Sequence, residues 1–334
     1  MYKNTLFNLI FYNTIYDCSV ITQDFINDSS SRKHLFLGSI YFVMSLIYII
    51  IYIPFLIAMF VPQNFKHPAY KIMSCLGLID IIGLACAGPI AGIFSIRGDV
   101  YCSFPVYGYW AGSFAYGAWV GNNCSVLLLV VNRCLDLAYP TLSDILFSGI
   151  KTFVWLLFPL LMMLYCIFFA PNPMYTSIAD TYIFDPYYGT AYQNSGDFTT
   201  VFMFINNYII CLAQVIIYVI FIIIFCIKYL FNSSYSTLET KTIGVQLFMQ
   251  AFLICMLTLS TSLIYVLMER VSVPNYFSII AHFDYLTSSG ISGIIYLIMN
   301  KSLKDTIKKW YRSSFNKQSI TTKQIQPSRN AKIV

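Results

Sequence analysis

Charged residues are scarce in this chain. Asp, Glu, Lys and Arg together make up 10% of its 334 residues, and hydrophobic residues make up 58%. An average soluble domain carries about 25% charged residues. The composition therefore excludes an ordinary soluble protein and predicts an integral membrane protein.

Patterns that bind metals or carry out catalysis are also missing. The ten cysteines form no paired CxxC and no Cys/His spacing that is typical of a zinc site. The apolar segments contain no HExxH and no pair of aspartates at matching depth. We therefore expect no cofactor, and an intramembrane enzyme is excluded as the main hypothesis.

Long apolar runs are what the chain has instead. Each is long enough for a helix that crosses the hydrocarbon core, which takes about 20 residues. The sequence predicts an all-α, polytopic bundle of seven transmembrane helices within residues 35–300. The predicted spans are residues 35–61, 72–96, 105–132, 152–171, 198–227, 242–268 and 274–300.

The basic residues predict the orientation of this bundle. Residues 301–334 hold nine Lys or Arg and one Asp, whereas the rest of the chain holds 11 basic and 13 acidic residues. By the positive-inside rule, we predict a plasma-membrane protein whose C-terminus is cytoplasmic and whose residues 1–34 are extracellular. A basic tail is attracted to an anionic inner leaflet by about 1 kcal/mol per residue, so we expect a lipid partner and no nucleic acid.

The tail itself divides into two parts. Residues 301–312 predict a short amphipathic eighth helix on the membrane surface, with Leu303, Ile307 and Trp310 on its apolar stripe. The polar residues 313–334 predict a disordered cytoplasmic tail.

The third apolar run ends in a charged motif. No Asp, Glu, Lys, Arg or His lies between Asp99 and Arg133, and Asn132 and Asp136 flank this arginine. One interpretation is a switch arginine that is released, with Asn132 and Asp136, to meet a cytosolic partner. The alternative is a positive flank that anchors the end of the helix.

Several polar residues lie inside the predicted spans. Asp80 is the one charged residue of the second span, and Asn122 lies about 16 Å along the third helix from Arg133, at a depth that can meet Asp80. We predict a central polar network, and the alternative is a set of interhelical hydrogen bonds without a signalling role. The predicted members are Asp80, Asn122, Ser289, Ser292 and Tyr296.

The outer half of the bundle contains aromatic candidates for a ligand pocket. Tyr116 and Trp119 lie too deep for an interfacial belt, and His282 and Tyr285 belong to the polar stripe of the seventh span. Three roles stay open for Asp284: binding a ligand, pairing with a neighbouring helix, or pointing to the outer interface.

Two features belong to the predicted extracellular side. Asn27-Asp28-Ser29 is the glycosylation sequon in an accessible position there. Cys18 and Cys102 fall outside the apolar segments, and the long outer loop has no cysteine, so we expect a bridge between these two. Two free thiols are the alternative.

Short motifs along residues 16–312 carry a family resemblance. The chain resembles the class T serpentine chemoreceptors of nematodes, which are heptahelical G-protein-coupled receptors. The matching residues are Tyr16-Asp17-Cys18-Ser19, Ile51-Tyr52-Ile53-Pro54, Tyr70-Lys71-Ile72-Met73, Asp80, Asn132-Arg133, Trp155, Phe184-Asp185-Pro186-Tyr187 and Tyr296.

This resemblance implies a function. An external small molecule would bind in the outer half of the bundle, Arg133 would engage a heterotrimeric G protein, and Tyr296 would move during activation. The chain departs from the rhodopsin-like pattern, because Asn132 replaces the acid before the arginine and Ser292-Gly293 stands where Asn-Pro is usual. A transporter of small solutes or a ligand-gated channel is the alternative function.

Overall fold

The computed structural model describes residues 16–193, 205–231, 238–271 and 274–324. Most of these residues lie in eight helices, labelled here in chain order. They are α1 (Leu35–Met59), α2 (Pro68–Arg97), α3 (Pro105–Ala138), α4 (Lys151–Phe169), α5 (Cys211–Phe225, between π-helical turns at Ile205–Ile210 and Cys226–Phe231), α6 (Leu238–Arg270), α7 (Asn275–Met299) and α8 (Lys301–Gln324).

Shorter helices connect and flank these elements. Most are one or two turns long, and two of them begin with proline at the first helical position, where its missing N–H is no loss. They are Cys18–Val20, Gln23–Asn27, Ser30–Arg32, Pro62–Phe65, Tyr101–Ser103 and Pro140–Phe147.

The first seven long helices overlap the seven predicted spans, and residues 198–204 of the fifth span lie outside the described part of the chain. Six of them, α1 to α6, have the length and apolar composition to cross a membrane. Helix α7 has 25 residues, about 37 Å at 1.5 Å per residue, which is also long enough. Its polar stripe makes it less apolar than the others, as expected for a helix that buries polar side chains inside a bundle.

Helix α3 lies at the centre of the bundle. Within its most apolar stretch 78% of the residues are buried, against 24% in α5. It ends at Ala138, six residues beyond the predicted end at Asn132, because the helix stops at Tyr139, whose backbone is not helical and which precedes Pro140. Arg133 and Asp136 are therefore inside the last turns of the helix.

The outer ends of α1 and α2 approach each other closely at two glycines. A Cβ atom on Gly38 would lie 2.5 Å from the carbonyl oxygen of Gly92, and one on Gly92 would lie 2.6 Å from that of Gly38. Small residues of this kind let helix backbones meet in membranes. The contact brings His34, at the start of α1, within hydrogen-bond distance of α2, where its N–H donates to the Ser95 carbonyl at 2.9 Å.

Pro89 changes the hydrogen bonding of α2. Residues Cys86–Ile90 form a π-helical turn, in which the Ala91 N–H donates to the Cys86 and Gly88 carbonyls. In a regular α-helix this N–H would donate to the Ala87 carbonyl. The turn therefore leaves the Ala87 carbonyl open to a partner from another helix.

A two-stranded hairpin forms in the long outer loop, and we did not predict it from the sequence. Strands β1 (Met174–Thr176) and β2 (Thr181–Ile183) pair antiparallel with Tyr175 opposite Tyr182. Both strands are almost wholly buried. The loop backbone packs directly on α3 at Gly112. A Cβ atom on this glycine would clash with the Pro173 carbonyl oxygen.

Helix α8 is twice as long as expected. It runs from Lys301 to Gln324, so the prediction of disorder from residue 313 is wrong as far as Gln324. The physical reason is that no proline or glycine interrupts the chain between Lys301 and Pro327. The remaining residues, 325–334, lie outside the described part of the chain, as do residues 1–15 of the predicted extracellular segment.

The first turns of α8 dock against the bundle. Leu303 is fully buried, and its N–H donates to Oδ1 of Asn300 at 3.1 Å, which caps the helix. Asn64, in the turn after α1, accepts from Ser302 Oγ at 3.1 Å and donates to Thr306 Oγ1 at 3.3 Å. The predicted apolar stripe thus faces the protein at Leu303, while Trp310 remains 36% exposed.

Candidate functional site

A buried carboxylate joins three helices in the middle of the bundle. Asp80 on α2 is 1% exposed, and its Oδ1 accepts from Nδ2 of Asn122 on α3 at 2.6 Å. Its Oδ2 accepts from the hydroxyl of Tyr52 on α1 at 2.9 Å. The structure therefore brings together Asp80 and Asn122, and it adds Tyr52, which sequence reasoning missed.

The inward stripe of α7 lies beside this carboxylate. The ring of Tyr296 is fully buried with its centroid 5.9 Å from that of Tyr52. Ser289 and Ser292 are buried as well, and neither serine bonds to Asp80 among the described contacts. The predicted network thus has a bonded centre, Tyr52–Asp80–Asn122, with Tyr296 packed against it and the two serines alongside.

The aromatic residues of the outer half pack into one cluster. Trp119 and Tyr285 meet edge to face with ring centroids 5.8 Å apart, and the Tyr285 hydroxyl donates to the Ala115 carbonyl at 2.9 Å. Tyr116 lies against Phe184 of the outer loop with centroids 5.3 Å apart. These predicted pocket residues are therefore neighbours, and all are buried.

His282 lies directly beneath the hairpin. Its Nε2 donates to the Ala87 carbonyl at 2.8 Å, and its Nδ1 lies 3.4 Å from Oγ1 of Thr181. The ring of Tyr182 stacks on the imidazole with centroids 6.1 Å apart and an interplanar angle of 23°. The hairpin thus occupies the outer half of the bundle where a ligand pocket was predicted.

Asp284 faces a neighbouring helix. Its carboxylate accepts from Oγ1 of Thr261 at 2.6 Å and from Oγ of Ser260 at 3.1 Å, both on α6. Of the three roles that stayed open for this residue, the structure shows pairing with a helix. Asp284 is therefore separate from the cluster around His282.

Asp180 anchors the hairpin to the outer ends of α1 and α2. Its carboxylate lies 2.6 Å from Nδ1 of His34 and accepts from Ser95 Oγ at 2.7 Å. Its carbonyl accepts from the Tyr41 hydroxyl at 3.2 Å. Burial raises the pKa of the Asp180 carboxyl, and the hydrogen bond from Ser95 and the proximity of His34 oppose part of this rise.

The N-terminal segment covers the same face. A disulfide joins Cys18 to Cys102, which lies between α2 and α3. The Tyr187 hydroxyl donates to the Asp17 carbonyl at 2.9 Å and so ties this segment to the outer loop. The sequon residue Asn27 is exposed at the end of a short helix, where a glycan has room.

Arg133 lies at the inner end of α3, and its side-chain contacts are long. Its side chain is 15% exposed, with Nη1 3.9 Å from Oδ2 of Asp136 and Nη2 4.0 Å from Sδ of Met73. Asn132 is fully buried and donates to Oγ of Ser143 at 3.5 Å. Ser143 also donates to Asp136, so in this conformation Asn132 holds the inner helix Pro140–Phe147 and is not exposed at the surface.

Comparison with known proteins places the chain in a family. The model of the family described as "Serpentine type 7TM GPCR chemoreceptor Srt" matches residues 1–320. The chain belongs to the Srt family. "Serpentine receptor class T-55" of Caenorhabditis elegans is 23% identical over 244 residues, which cover 71% of this chain and 63% of that relative. The match thus spans less than two thirds of the relative's length.

Membership of the Srt family confirms the resemblance and the seven-helix fold class. The family is a class of nematode membrane receptors and is not a class of enzymes.

Sequence reasoning missed three contributors to the site of this Srt-family chain. Tyr52 had a signal, because it precedes Pro54 in a motif of the family resemblance, but nothing marked its hydroxyl as inward-facing. His34 and Asp180 lie 146 positions apart in segments without regular periodicity. Only the folded chain brings these two side chains together.

Proposed function

We propose that this chain is a chemosensory receptor of the plasma membrane that activates a heterotrimeric G protein. An external small molecule would bind in the outer half of the bundle, near Tyr116, Trp119, His282 and Tyr285. Membership of the Srt family supports the receptor class. The ligand site and the coupling to a G protein are the parts that the proposal adds.

The observation that carries the proposal is the state of Arg133. A guanidinium at the inner end of α3 is mostly buried, yet its nearest acid is 3.9 Å away on an exposed Asp136 side chain. A partner that offers backbone carbonyls or a carboxylate could replace such weak contacts at little cost. Asn132 and Asp136 would set the resting position of the arginine through their shared partner Ser143.

Helix α3 connects the two ends. Tyr116 contacts the outer loop, Asn122 bonds to Asp80, and Arg133 lies at the inner end, so all three belong to one helix. The distance from Tyr116 to Arg133 along the helix is about 25 Å. A ligand that favours a different seating of α3 would shift the population of inner-end conformations.

The same proposal fixes the orientation in the membrane. Residues 1–34 would be extracellular, with a glycan on Asn27, and residues 301–334 would be cytoplasmic. Helix α8 would lie on the anionic inner leaflet, supported by Leu303 buried against the bundle and by exposed Lys308, Lys309 and Arg312.

A variant of the arginine tests the proposal. A panel of volatile and water-soluble odorants is applied to cells that express the receptor. G-protein activation is measured by resonance energy transfer between the G-protein subunits. We expect Arg133→Ala to abolish ligand-evoked activation while surface staining persists. Arg312→Ala, which removes the same charge from the exposed face of α8, should still respond.

Normal signalling by Arg133→Ala would contradict the proposal. An odorant-evoked current in cells without G proteins would favour the alternative, a ligand-gated channel or transporter.

A further inference from the structure

The tip of the outer hairpin fills a site whose chemistry can be described group by group. Thr181 and Tyr182 of β2 are both buried. They reach helices α2, α6 and α7 through Cys86, Tyr265 and His282. Each of these contacts uses a functional group that an external molecule could also supply.

The first group is the imidazole of His282. The Ala87 carbonyl, which the π-helical turn at Pro89 leaves open, can only accept a hydrogen bond, so Nε2 of His282 carries the proton. In the neutral ring Nδ1 is then an acceptor, and it faces Oγ1 of Thr181 at 3.4 Å. This edge of the ring therefore selects a hydroxyl donor.

The second group is the backbone carbonyl of Cys86. It accepts from the phenol hydroxyl of Tyr182 at 2.9 Å. Between this carbonyl and His282 lies the ring of Tyr182, nearly parallel to the imidazole at an interplanar angle of 23°. The space therefore suits a flat aromatic ring with a hydroxyl at its edge.

The surroundings also argue against charge on the occupant. Tyr182 packs in a cluster with Cys86, Ala91, Ala115 and Tyr175 and stacks on His282, and Thr181 contacts Tyr265 and His282. No charged side chain is among these described contacts. The carboxylate of Asp284 is engaged by hydroxyls of α6. That of Asp180 points to His34 and Ser95.

We infer that this site binds an uncharged aromatic molecule with a hydroxyl group, and that Tyr182 is a tethered competitor for it. The inference rests on the proposed function, since it names the ligand class of the same outer site. A tethered group competes at a high effective concentration, which weakens the apparent affinity for any free molecule. Releasing the hairpin would also break the Thr181 bridge between Tyr265 on α6 and His282 on α7.

Binding of 4-methylphenol, which corresponds to the side chain of tyrosine as a free molecule, tests this inference. Purified full-length receptor is titrated with 4-methylphenol, and the shift of its melting temperature gives the apparent affinity. We expect Tyr182→Ala to bind 4-methylphenol about tenfold more tightly than the wild type, because the competitor is gone. Toluene, which lacks the hydroxyl, should bind the variant several-fold more weakly than 4-methylphenol.

Two further variants keep the test decisive. Tyr192→Ala removes an exposed tyrosine elsewhere in the outer loop and should leave the affinity for 4-methylphenol at the wild-type value. If Tyr182→Ala does not fold, Tyr182→Phe keeps the ring, removes the bond to Cys86 and should tighten binding a few-fold.

The inference is overturned if Tyr182→Ala, or Tyr182→Phe where the alanine variant is unfolded, binds 4-methylphenol no more tightly than the wild type. It is also overturned if toluene binds equally well. These readouts need no G protein, so they are independent of the proposed coupling. Tight binding without G-protein activation would contradict the proposed function alone, whereas odorant signalling through Arg133 without phenol binding would contradict only the present inference.

Discussion

The outer and inner ends of the bundle are held together by different kinds of contact. At the outer end a disulfide joins Cys18 to Cys102, and the buried carboxylate of Asp180 has partners at 2.6 and 2.7 Å. At the inner end the guanidinium of Arg133 has its nearest acid at 3.9 Å and a methionine sulfur at 4.0 Å. The outer face is fixed by short bonds, and the arginine at the inner face is not.

The contacts at the outer end are also expected to contribute more free energy than those of Arg133 at the inner end. A hydrogen bond to a charged group contributes about 1.5–3 kcal/mol when buried. A helical pair at i and i+3 with one exposed member contributes about 0.2–0.5 kcal/mol. A small free energy is therefore enough to move the Arg133 side chain. The outer loop and the N-terminal segment move only when a ligand or a substitution replaces strong bonds.

The largest expected effect comes from breaking the outer disulfide. Replacing Cys18 and Cys102 by serine should lower the free energy of unfolding by about 2–4 kcal/mol, because the bridge closes a long loop. The measurement is the melting temperature of the purified receptor. Cys226→Ser, at a free and partly exposed cysteine, is the control and should melt like the wild type. If the double serine variant melts at the same temperature as Cys226→Ser, the bridge does not stabilise the outer face.

A smaller effect is expected from the anchor of the hairpin. Burial raises the pKa of Asp180, so the folded state takes up a proton more readily than the unfolded state does. Wild-type stability should therefore rise as the pH falls from 7 through the raised pKa, and Asp180→Asn should lose that dependence. Melting curves from pH 7 down to about pH 4, near the ordinary pKa of an aspartate, measure it. His34→Gln, which removes the neighbouring imidazole, is the control. A pH dependence that Asp180→Asn retains in full would contradict the assignment.

The smallest effect on stability is expected at the inner end. Asp136→Asn should change the free energy of unfolding by less than about 0.5 kcal/mol, since the pair with Arg133 is long, Asp136 is exposed, and an asparagine oxygen can still accept the hydrogen bond from Ser143. We expect its basal G-protein activation to rise, because the arginine loses its nearest acid. Asp144→Asn makes the same charge change on the neighbouring inner helix and should leave basal activation unchanged. A strongly destabilised Asp136→Asn would remove the contrast between the two faces.

The sequence predicts this molecule best where one helix is enough to explain a position. The seven spans follow from the length of the apolar runs, and the meeting of Asp80 with Asn122 follows from the rise per residue along α3. The inward position of Ser289, Ser292 and Tyr296 follows from the helical period of α7.

The sequence predicts it least well where distant segments decide the outcome. Nothing local in residues 174–183 shows that this loop segment turns into the bundle, since its burial depends on α2, α3 and α7 together. The sequence predicts His282 and Tyr116 as residues of a ligand pocket in the outer half, but it does not predict that the loop itself covers them. The disorder expected after Arg312 fails because polar composition alone does not end a helix.

The orientation of the chain tests the central claim most directly, since both the ligand site and the G-protein site depend on it. Epitope tags are added to the two ends of the receptor, and antibody staining is compared in intact and permeabilised cells. The account predicts that the N-terminal tag is stained on intact cells and the C-terminal tag only after permeabilisation. Staining of the C-terminal tag on intact cells would contradict it.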